Sequence, residues 1–295
     1  MKAPCTNTRI SLSNILVTTD FSQVSKTALP YATALARQYE AKIMVAHALS
    51  PEPQLSVPLD PLPLEADRAW LEAEGKLAEF ALGNSLGVRP AQMLLERGDV
   101  WSVISDIIQK KRIDLVVTGT HGRQGLKKLV LGSEAEKIYR RATCPVLTIG
   151  PQVPPPSGTI WNLKTILFPT DGSEASLKAL PYALSLAEEN EACLIFLRLM
   201  PPAPPQYQEA DEASARELLR VLVPKEAEAW CKPEFVARFE FPVEGILRLA
   251  EERDVNLIVM GVRKAGEIAM SEHMPWPIAS QVVAQAHCPV LTVRG

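Results

Sequence analysis

An internal repeat limits the possible fold of this chain more than any other feature of its sequence. Residues 15–22 (ILVTTDFS) share five of eight positions with 166–173 (ILFPTDGS), and ALPYA at 28–32 recurs in full 151 residues later. Near the end of each unit the sequence CPVLT appears, at 144–148 and at 288–292. Matches in the same order at both ends of a unit of ~140 residues indicate duplication of a whole domain.

The repeat divides the chain of 295 residues into two domains joined by a proline-rich linker. We expect the first domain at 1–150, the linker at 151–164 and the second domain at 165–295. The sequence PQVPPPSG at 151–158 favours neither a helix nor a strand, because proline fixes φ and has no amide proton. A short, stiff connection between the two units is therefore predicted.

Within each unit, β-rich runs alternate with helical segments, which is typical of an α/β fold. Apolar runs such as 115–117 (LVV) and 257–260 (LIVM) indicate strands buried on both faces, as in a parallel sheet covered by helices. Each half is thus predicted to be a doubly wound α/β domain with five strands. The predicted strands are 14–19, 42–48, 92–96, 114–119 and 146–149, then 165–170, 193–199, 235–241, 256–261 and 290–293; helices are predicted at 23–39, 65–83, 100–111 and 133–142 in the first half.

Composition excludes several classes of function. With 31 Lys+Arg against 34 Asp+Glu, the net charge of −3 gives no broad basic surface, so no nucleic acid is expected as a partner. No apolar run approaches the ~20 residues of a membrane span, and the first residues lack the apolar core of a signal peptide. We therefore expect a cytoplasmic protein without a membrane partner. Five cysteines without a CxxC pair and four histidines make a Cys/His zinc site improbable.

The segment after the fourth predicted strand, GTHGRQGLKKLVLGSE at 119–134, is rich in glycine and precedes a predicted helix. Glycine lets backbone amides converge on an anion, and the amino end of a helix adds partial positive charge. The hydroxyl of Ser133 would add a further donor. This pattern indicates a phosphate site, although it matches neither GxxxxGK[ST] nor GxGxxG. By glycine spacing alone, a long turn with Ser133 as a helix N-cap explains the segment equally well.

The loop also carries a resemblance to a known family. Its spacing over 119–133, G-x2-G-x9-G-S, resembles the signature G-x2-G-x9-G-[ST] of the ATP-binding branch of the universal stress protein family. TTDFS at 18–22 and CPVL at 144–147 resemble the same family, so the likeness spans 14–150. Residues 165–294 resemble it at both ends. The chain is therefore similar to tandem universal stress proteins.

The resemblance implies a fold, a partner and a function. Each half would be a nucleotide-binding-like domain with strand order 3-2-1-4-5, and the halves would pair through their last strands as a pseudo-dimer. Two such chains would remain able to associate, so a homodimer of tandem chains is expected. The implied function is a stress-response protein in which one adenine nucleotide, ATP, regulates conformation or partner binding.

The resemblance further implies which residues of the first half hold the nucleotide. Asp20 would contact the ribose or metal-bound phosphates, while its alternative role is the N-cap of the first helix. The backbone of Ala48 would meet the adenine edge, although core packing explains this residue equally well. His121 would donate to a phosphate oxygen, with a plain surface location as the alternative, and whether Mg2+ accompanies ATP stays open. The implied set is Thr18, Asp20, Ala48, Gly119, His121, Gly122, Gly132, Ser133 and Glu134.

The second half lacks the glycine-rich pattern. After Gly261, Lys264 stands where the first half has a second glycine, and Trp276 and Pro277 replace its final Gly-Ser. Proline removes an amide donor, and tryptophan fills space where the backbone would approach a phosphate. We therefore expect no ATP in the second half. Asp171 is expected to act there as a helix cap.

Two other functions remain open at this point. A slow ATPase or autophosphorylating enzyme would use the same phosphate site, with Asp20 at the metal. Some relatives phosphorylate themselves, and Ser133 would be the acceptor in this chain. No evident water-positioning base accompanies the loop, so at most slow turnover is expected and no catalytic residue is assigned. The second alternative is an interaction protein that binds no nucleotide and whose glycine-rich loop is structural.

Overall fold

The structure is a computed structural model that describes residues 9–50, 63–82, 91–120, 132–156, 158, 160–202, 204–224, 227, 231–263 and 278–295. Elements of the first half are β1 (Asn14–Thr18), α1 (Gln23–Tyr39), β2 (Lys42–Leu49), α2 (Pro63–Leu82), β3 (Gln92–Arg97), α3 (Val100–Lys111), β4 (Leu115–Gly119), α4 (Ser133–Arg141) and β5 (Val146–Ile149). Those of the second half are β6 (Thr165–Pro169), α5 (Glu174–Leu177), α6 (Leu180–Asn190), β7 (Cys193–Met200), α7 (Pro205–Arg220), β8 (Glu234–Phe239), α8 (Pro242–Glu252), β9 (Leu257–Val262), α9 (Ile278–Gln285) and β10 (Val290–Arg294).

The described strands form one continuous sheet in the order β3-β2-β1-β4-β5-β10-β9-β6-β7-β8. Within each half the order is 3-2-1-4-5, and the paired neighbours run parallel. The predictions of an α/β fold, of five parallel strands per half and of this strand order are confirmed. Helices cover both faces of the sheet. No described helix is long and apolar enough to cross a membrane.

Uninterrupted apolar runs form the strands because both faces of the sheet are buried. In β1, Ile15 and Val17 belong to one apolar cluster and Leu16 to the cluster on the opposite face, and all three are fully buried. Apolar side chains on both sides of a strand are typical of parallel sheets covered by helices. Several predicted bounds differ from the observed ones by one or two residues. β8, for example, was expected to reach 241 and ends at Phe239, because Pro242 opens α8.

The two halves meet along their last strands, as the family resemblance implied. β5 and β10 pair antiparallel, and Leu147 lies directly opposite Leu291, its counterpart in the repeat. The hydroxyl of Thr292 adds a hydrogen bond to the carbonyl oxygen of Val146 at 3.2 Å. Because these central strands run in opposite directions, the carboxyl ends of the strands of each half lie at opposite edges of the sheet.

Candidate functional site

The candidate site of the first half lies at the carboxyl ends of β1, β2 and β4. Strand order reverses between β1 and β4, and open α/β sheets bind ligands in the crevice at that point. The turn after β1, the end of β2 and the start of α4 contribute to this edge. His121 and Gly122, which were assigned to the phosphate loop, lie outside the described residues, as does the rest of 121–131.

Asp20 lies in a tight turn that starts α1. Its Oδ1 accepts the amide of Ser22 at 3.0 Å, and the hydroxyl of Thr19 accepts the amide of Phe21 at 2.9 Å. Ser22 is the N-cap of α1, since its side chain accepts the amide of Ser25. The alternative role of Asp20 as the N-cap is therefore wrong. Its carboxylate instead fixes the turn, where it is half-buried at the edge of the crevice.

An aromatic pair stands beside this turn, and sequence reasoning did not identify it. The rings of Phe21 and His47 lie 4.4 Å apart between centroids, and Nδ1 of His47 is 2.7 Å from the carbonyl oxygen of Thr19. A carbonyl only accepts, so Nδ1 carries a proton. Phe21 has a φ of 64°, a left-handed conformation that is unfavourable for a bulky residue. The only signals in the sequence are the position of Phe21 before a helix cap and that of His47 near a strand end.

Ala48 lies at the open end of β2. The register of β1 against β2 ends at the pair Thr18–Ala46, whereas Ala48 still pairs with Glu96 of β3. Ala48 is half-buried and packs against the apolar cluster beneath the sheet. Both roles considered for this residue are compatible with this position.

Gly119 ends β4 and has a packing role. A Cβ at this position would lie 2.7 to 2.8 Å from backbone atoms of Val24 and Ser25 in the first turn of α1. Gly261 occupies the same place in the second half, where a Cβ would lie 2.1 Å from the carbonyl oxygen of Ala175. Because the second half lacks the rest of the pattern, this glycine is explained by helix packing in both halves.

Threonine hydroxyls line the boundary between β1 and β4. Thr18 donates to the hydroxyl of Thr118 at 2.8 Å, and both residues are buried. Thr18, assigned to the site from the resemblance, thus joins the two central strands. Thr120 follows β4 and is 2% exposed, and its hydroxyl has no hydrogen-bond partner among the described residues. A buried hydroxyl without a partner is unfavourable, so Thr120 marks a place where a polar partner fits.

The helix α4 begins without a side-chain cap. Gly132 is its N-cap and makes no side-chain hydrogen bond, and Ser133 is its exposed first residue. The alternative role of Ser133 as the N-cap is therefore wrong. In the first turn, Glu134 accepts a hydrogen bond from Lys137 at 2.6 Å, which raises the pKa of the lysine. The first amides of such a helix are suited to bind an anion.

The turn after the first strand of the second half has the same hydrogen bonds as its counterpart in the first half. Oδ1 of Asp171 accepts the amide of Ser173 at 2.9 Å, and the hydroxyl of Thr170 accepts the amide of Gly172 at 3.0 Å. Ser173 is the N-cap of α5, so the expected cap role of Asp171 is wrong in the same way as that of Asp20. Gly172 has a φ of 74°, close to that of its counterpart in the first half.

The surroundings of this second turn differ. Arg263 donates from Nη2 to Oδ2 of Asp171 at 3.3 Å. Partial burial alone raises the pKa of Asp171, but hydrogen bonds from Ser173 and Ser176 and the charge of Arg263 outweigh that effect, so the pKa lies below its ordinary value. Leu199 stands at the position of Ala48 in this half. Lys264, Trp276 and Pro277 lie outside the described residues.

The fold is a tandem α/β fold in which the strand order of each half reverses between its first and fourth strands. The model of the universal stress protein family matches residues 12–150 and again 162–294. The chain belongs to this family. In the described part of the chain, no group of three or more His, Cys, Asp or Glu side chains is placed to hold a metal ion.

Individual relatives match either the whole chain or one half. A universal stress protein of Mycolicibacterium smegmatis is 25% identical over 293 residues, 95% of this chain and 96% of that protein. Universal stress protein MJ0531 of Methanocaldococcus jannaschii is 31% identical over 144 residues, 46% of this chain and 80% of that protein. A universal stress protein from Archaeoglobus fulgidus has a crystal structure that covers 98% of both chains with a TM-score of 0.72 and 19% identity.

Proposed function

We propose that the first half binds one adenine nucleotide, ATP, and that this nucleotide regulates the conformation or the partner binding of the protein. The observation that most supports the proposal is the arrangement at the first carboxyl edge. There the carboxylate of Asp20, the hydroxyl of Thr120 and the uncapped start of α4 follow β1 and β4, the two strands between which the order reverses, and the hydroxyl of Thr120 has no hydrogen-bond partner in the described part of the chain.

Each group has a task that fits its chemistry. The amides at the start of α4 and the helix dipole would hold phosphate oxygens. Asp20 would bind the ribose, or Mg2+ on the phosphates, because Mg2+ with a nucleotide needs only one or two protein carboxylates besides phosphates and water. Bound in this way, Mg2+ would neutralise part of the phosphate charge. The small side chain of Ala48 leaves space for a base at the end of β2.

Contacts of α4 with the second half supply a route for regulation. Tyr139 of α4 hydrogen-bonds to Ser280 of α9, and Ser280 donates to Glu136 at 3.4 Å. Arg294 of β10 donates to the carbonyl oxygen of Arg141 at 2.6 Å. A ligand that changes the position or order of the start of α4 would therefore alter contacts between the halves.

The repeat provides a matched test of the proposal. Purified wild type, Asp20→Ala and Asp171→Ala are denatured, released small molecules are separated by chromatography, and adenine nucleotides are counted per chain. Each substitution removes a carboxylate that accepts the amide of the serine capping the next helix, but only Asp20 is proposed to contact the nucleotide. We expect about one nucleotide per chain in wild type and in Asp171→Ala, and none in Asp20→Ala.

Other outcomes would contradict specific parts of the proposal. Two nucleotides per chain, with one lost in each variant, would assign ATP to both halves. No nucleotide, even after incubation with ATP and Mg2+, would favour a protein that acts through interaction alone. Rapid phosphate release that depends on Asp20 would replace the regulatory proposal with an ATPase.

A further inference from the structure

The second half has two arginines where the first half has histidines. Arg198 is the sixth residue of β7, as His47 is the sixth residue of β2. Arg263 comes two residues after Gly261, as His121 comes two residues after Gly119. Two titratable side chains are thus replaced by two guanidinium groups that stay charged at any physiological pH.

Both arginines reach the same turn of the second half. Arg263 donates to Asp171, and Nη1 of Arg198 lies 3.7 Å from the point that a Cβ on Gly172 would occupy. In the first half Phe21 holds the position of Gly172, and its ring packs on His47. Gly172 carries no such ring beside Arg198. The two arginines therefore come from β7 and from the end of β9, the two strands that flank β6.

The charge of Arg198 is not balanced in the described part of the chain. The residue is partly buried, yet it makes no ion pair or hydrogen bond with any residue that the structure describes. Other arginines of the second half do pair: Arg238 with Glu252 at 2.8 Å and Arg253 with Glu234 at 3.2 Å. A partly buried guanidinium without a partner is unfavourable, so this position is suited to an anion.

Arg263 keeps donors available beyond its ion pair. A guanidinium has five N–H donors in a planar fork, and the contact with Asp171 involves one nitrogen. Asp171 thus fixes the orientation of Arg263 without saturating it. Two guanidinium groups and one carboxylate leave the crevice with a net positive charge.

The end of β7 does not leave the space that a base would need. Leu199 replaces Ala48, and its Cδ atoms lie 2.7 and 2.8 Å from the point that a Cβ on Gly245 would occupy. The larger side chain is packed against the start of α8, so this position is filled. A ligand of the second crevice would be recognised by its charge.

We propose that the second half binds a small phosphate-bearing anion at Arg198 and Arg263, with Asp171 as the residue that orients Arg263. Guanidinium forks match the geometry of phosphate oxygens and form charge-assisted hydrogen bonds with them. This site is distinct from the one proposed in the first half, because it lies at the opposite edge of the sheet.

Inorganic phosphate is the probe, and glycine amides report on each half separately. Protein labelled with 15N-glycine is titrated with phosphate at constant ionic strength, and the signals of Gly172 and Gly261 are compared with those of Gly119 and Gly132. We expect saturable shifts at Gly172 in wild type. Arg198→Gln and Arg263→Gln should each weaken binding at least about tenfold, because each removes a charge-assisted hydrogen bond.

Controls separate a site from general screening and from loss of structure. Arg253→Gln removes an arginine that pairs with Glu234 elsewhere, and it should leave the phosphate affinity unchanged. Unaltered glycine signals of the first half would confirm that each variant is folded. The proposal is overturned if Gly172 does not respond to phosphate, if chloride gives the same shifts, or if both arginine variants bind phosphate as wild type does.

Discussion

The turns after β1 and after β6 have the same geometry and different surroundings. In both, a threonine hydroxyl and an aspartate carboxylate accept backbone amides, and a serine caps the helix. Around the first turn lie an aromatic ring, a histidine and a small residue on β2; around the second lie glycine, arginine and leucine. The turn is therefore a structural element common to both halves, and the halves differ in the side chains that surround it.

A stretch of identical sequence also forms different helices in the two halves. ALPYA at 28–32 lies inside α1, which stays continuous with Pro30 in its interior. The same five residues at 179–183 begin a new helix, α6, with Pro181 in its first turn. Proline fits the first turn of a helix, as in α6, and is unfavourable in a helix interior, as in α1, yet the same sequence adopts both arrangements. Packing of each half decides between them.

The largest expected effect tests whether the two halves are equivalent where they meet. Leu147 and Leu291 face each other and are both buried, so Leu147→Ala and Leu291→Ala should each lower the free energy of unfolding by about 3 kcal/mol. Urea denaturation followed by circular dichroism measures both. Because the residues are counterparts about one junction, their losses should agree. A clearly larger loss for one of them would contradict this equivalence.

The next prediction concerns Gly119, the last residue of β4, and Gly261, the last but one of β9. Gly119→Ala and Gly261→Ala place a Cβ against helix backbone and should each destabilise the protein by about 2 kcal/mol, with Gly261→Ala the more severe. Midpoints of thermal unfolding without nucleotide measure the effect. Gly75→Ala, at a position where a Cβ would meet nothing within 4 Å, is the control.

The contrary result for Gly119 would be informative. If Gly119→Ala keeps the stability of wild type and loses only nucleotide binding, then the glycine serves the phosphate loop and its packing role is wrong.

A smaller effect is expected from the helix caps. Ser22→Ala and Ser173→Ala each remove a side chain that accepts an amide of the first turn, at 3.3 Å in both halves. Each change should cost about 1 kcal/mol in the free energy of unfolding. The matched measurement is urea denaturation of both variants, with Ser22→Thr and Ser173→Thr as rescues. Unequal losses would show that the surroundings of the turns affect their stability as well as their binding.

The alternating pattern of the sequence predicted much of the fold, because apolar runs act locally. Ile15, Leu16 and Val17 identify a strand buried on both faces without knowledge of its neighbours. The site was less predictable. The packing role of Gly119 depends on where α1 crosses β4, and the approach of Arg198 to Gly172 depends on strand register. Such contacts between distant residues leave no periodic signal in the sequence.

The smallest expected effect is electrostatic and distinguishes the two aspartates. Arg263→Gln should raise the pKa of Asp171 toward its ordinary value, which a carbon-detected NMR titration of the carboxylate measures. The lowered pKa stabilises the folded state above the pKa of the unfolded chain, ~3.9, and this contribution is lost as pH falls through the lower, folded-state pKa. Because both side chains are 55% exposed, the loss at neutral pH should not exceed about 0.5 kcal/mol and should decrease with salt. An unchanged pKa in the variant would mean that Arg263 does not hold Asp171, and the orientation proposed for the second crevice would then be wrong.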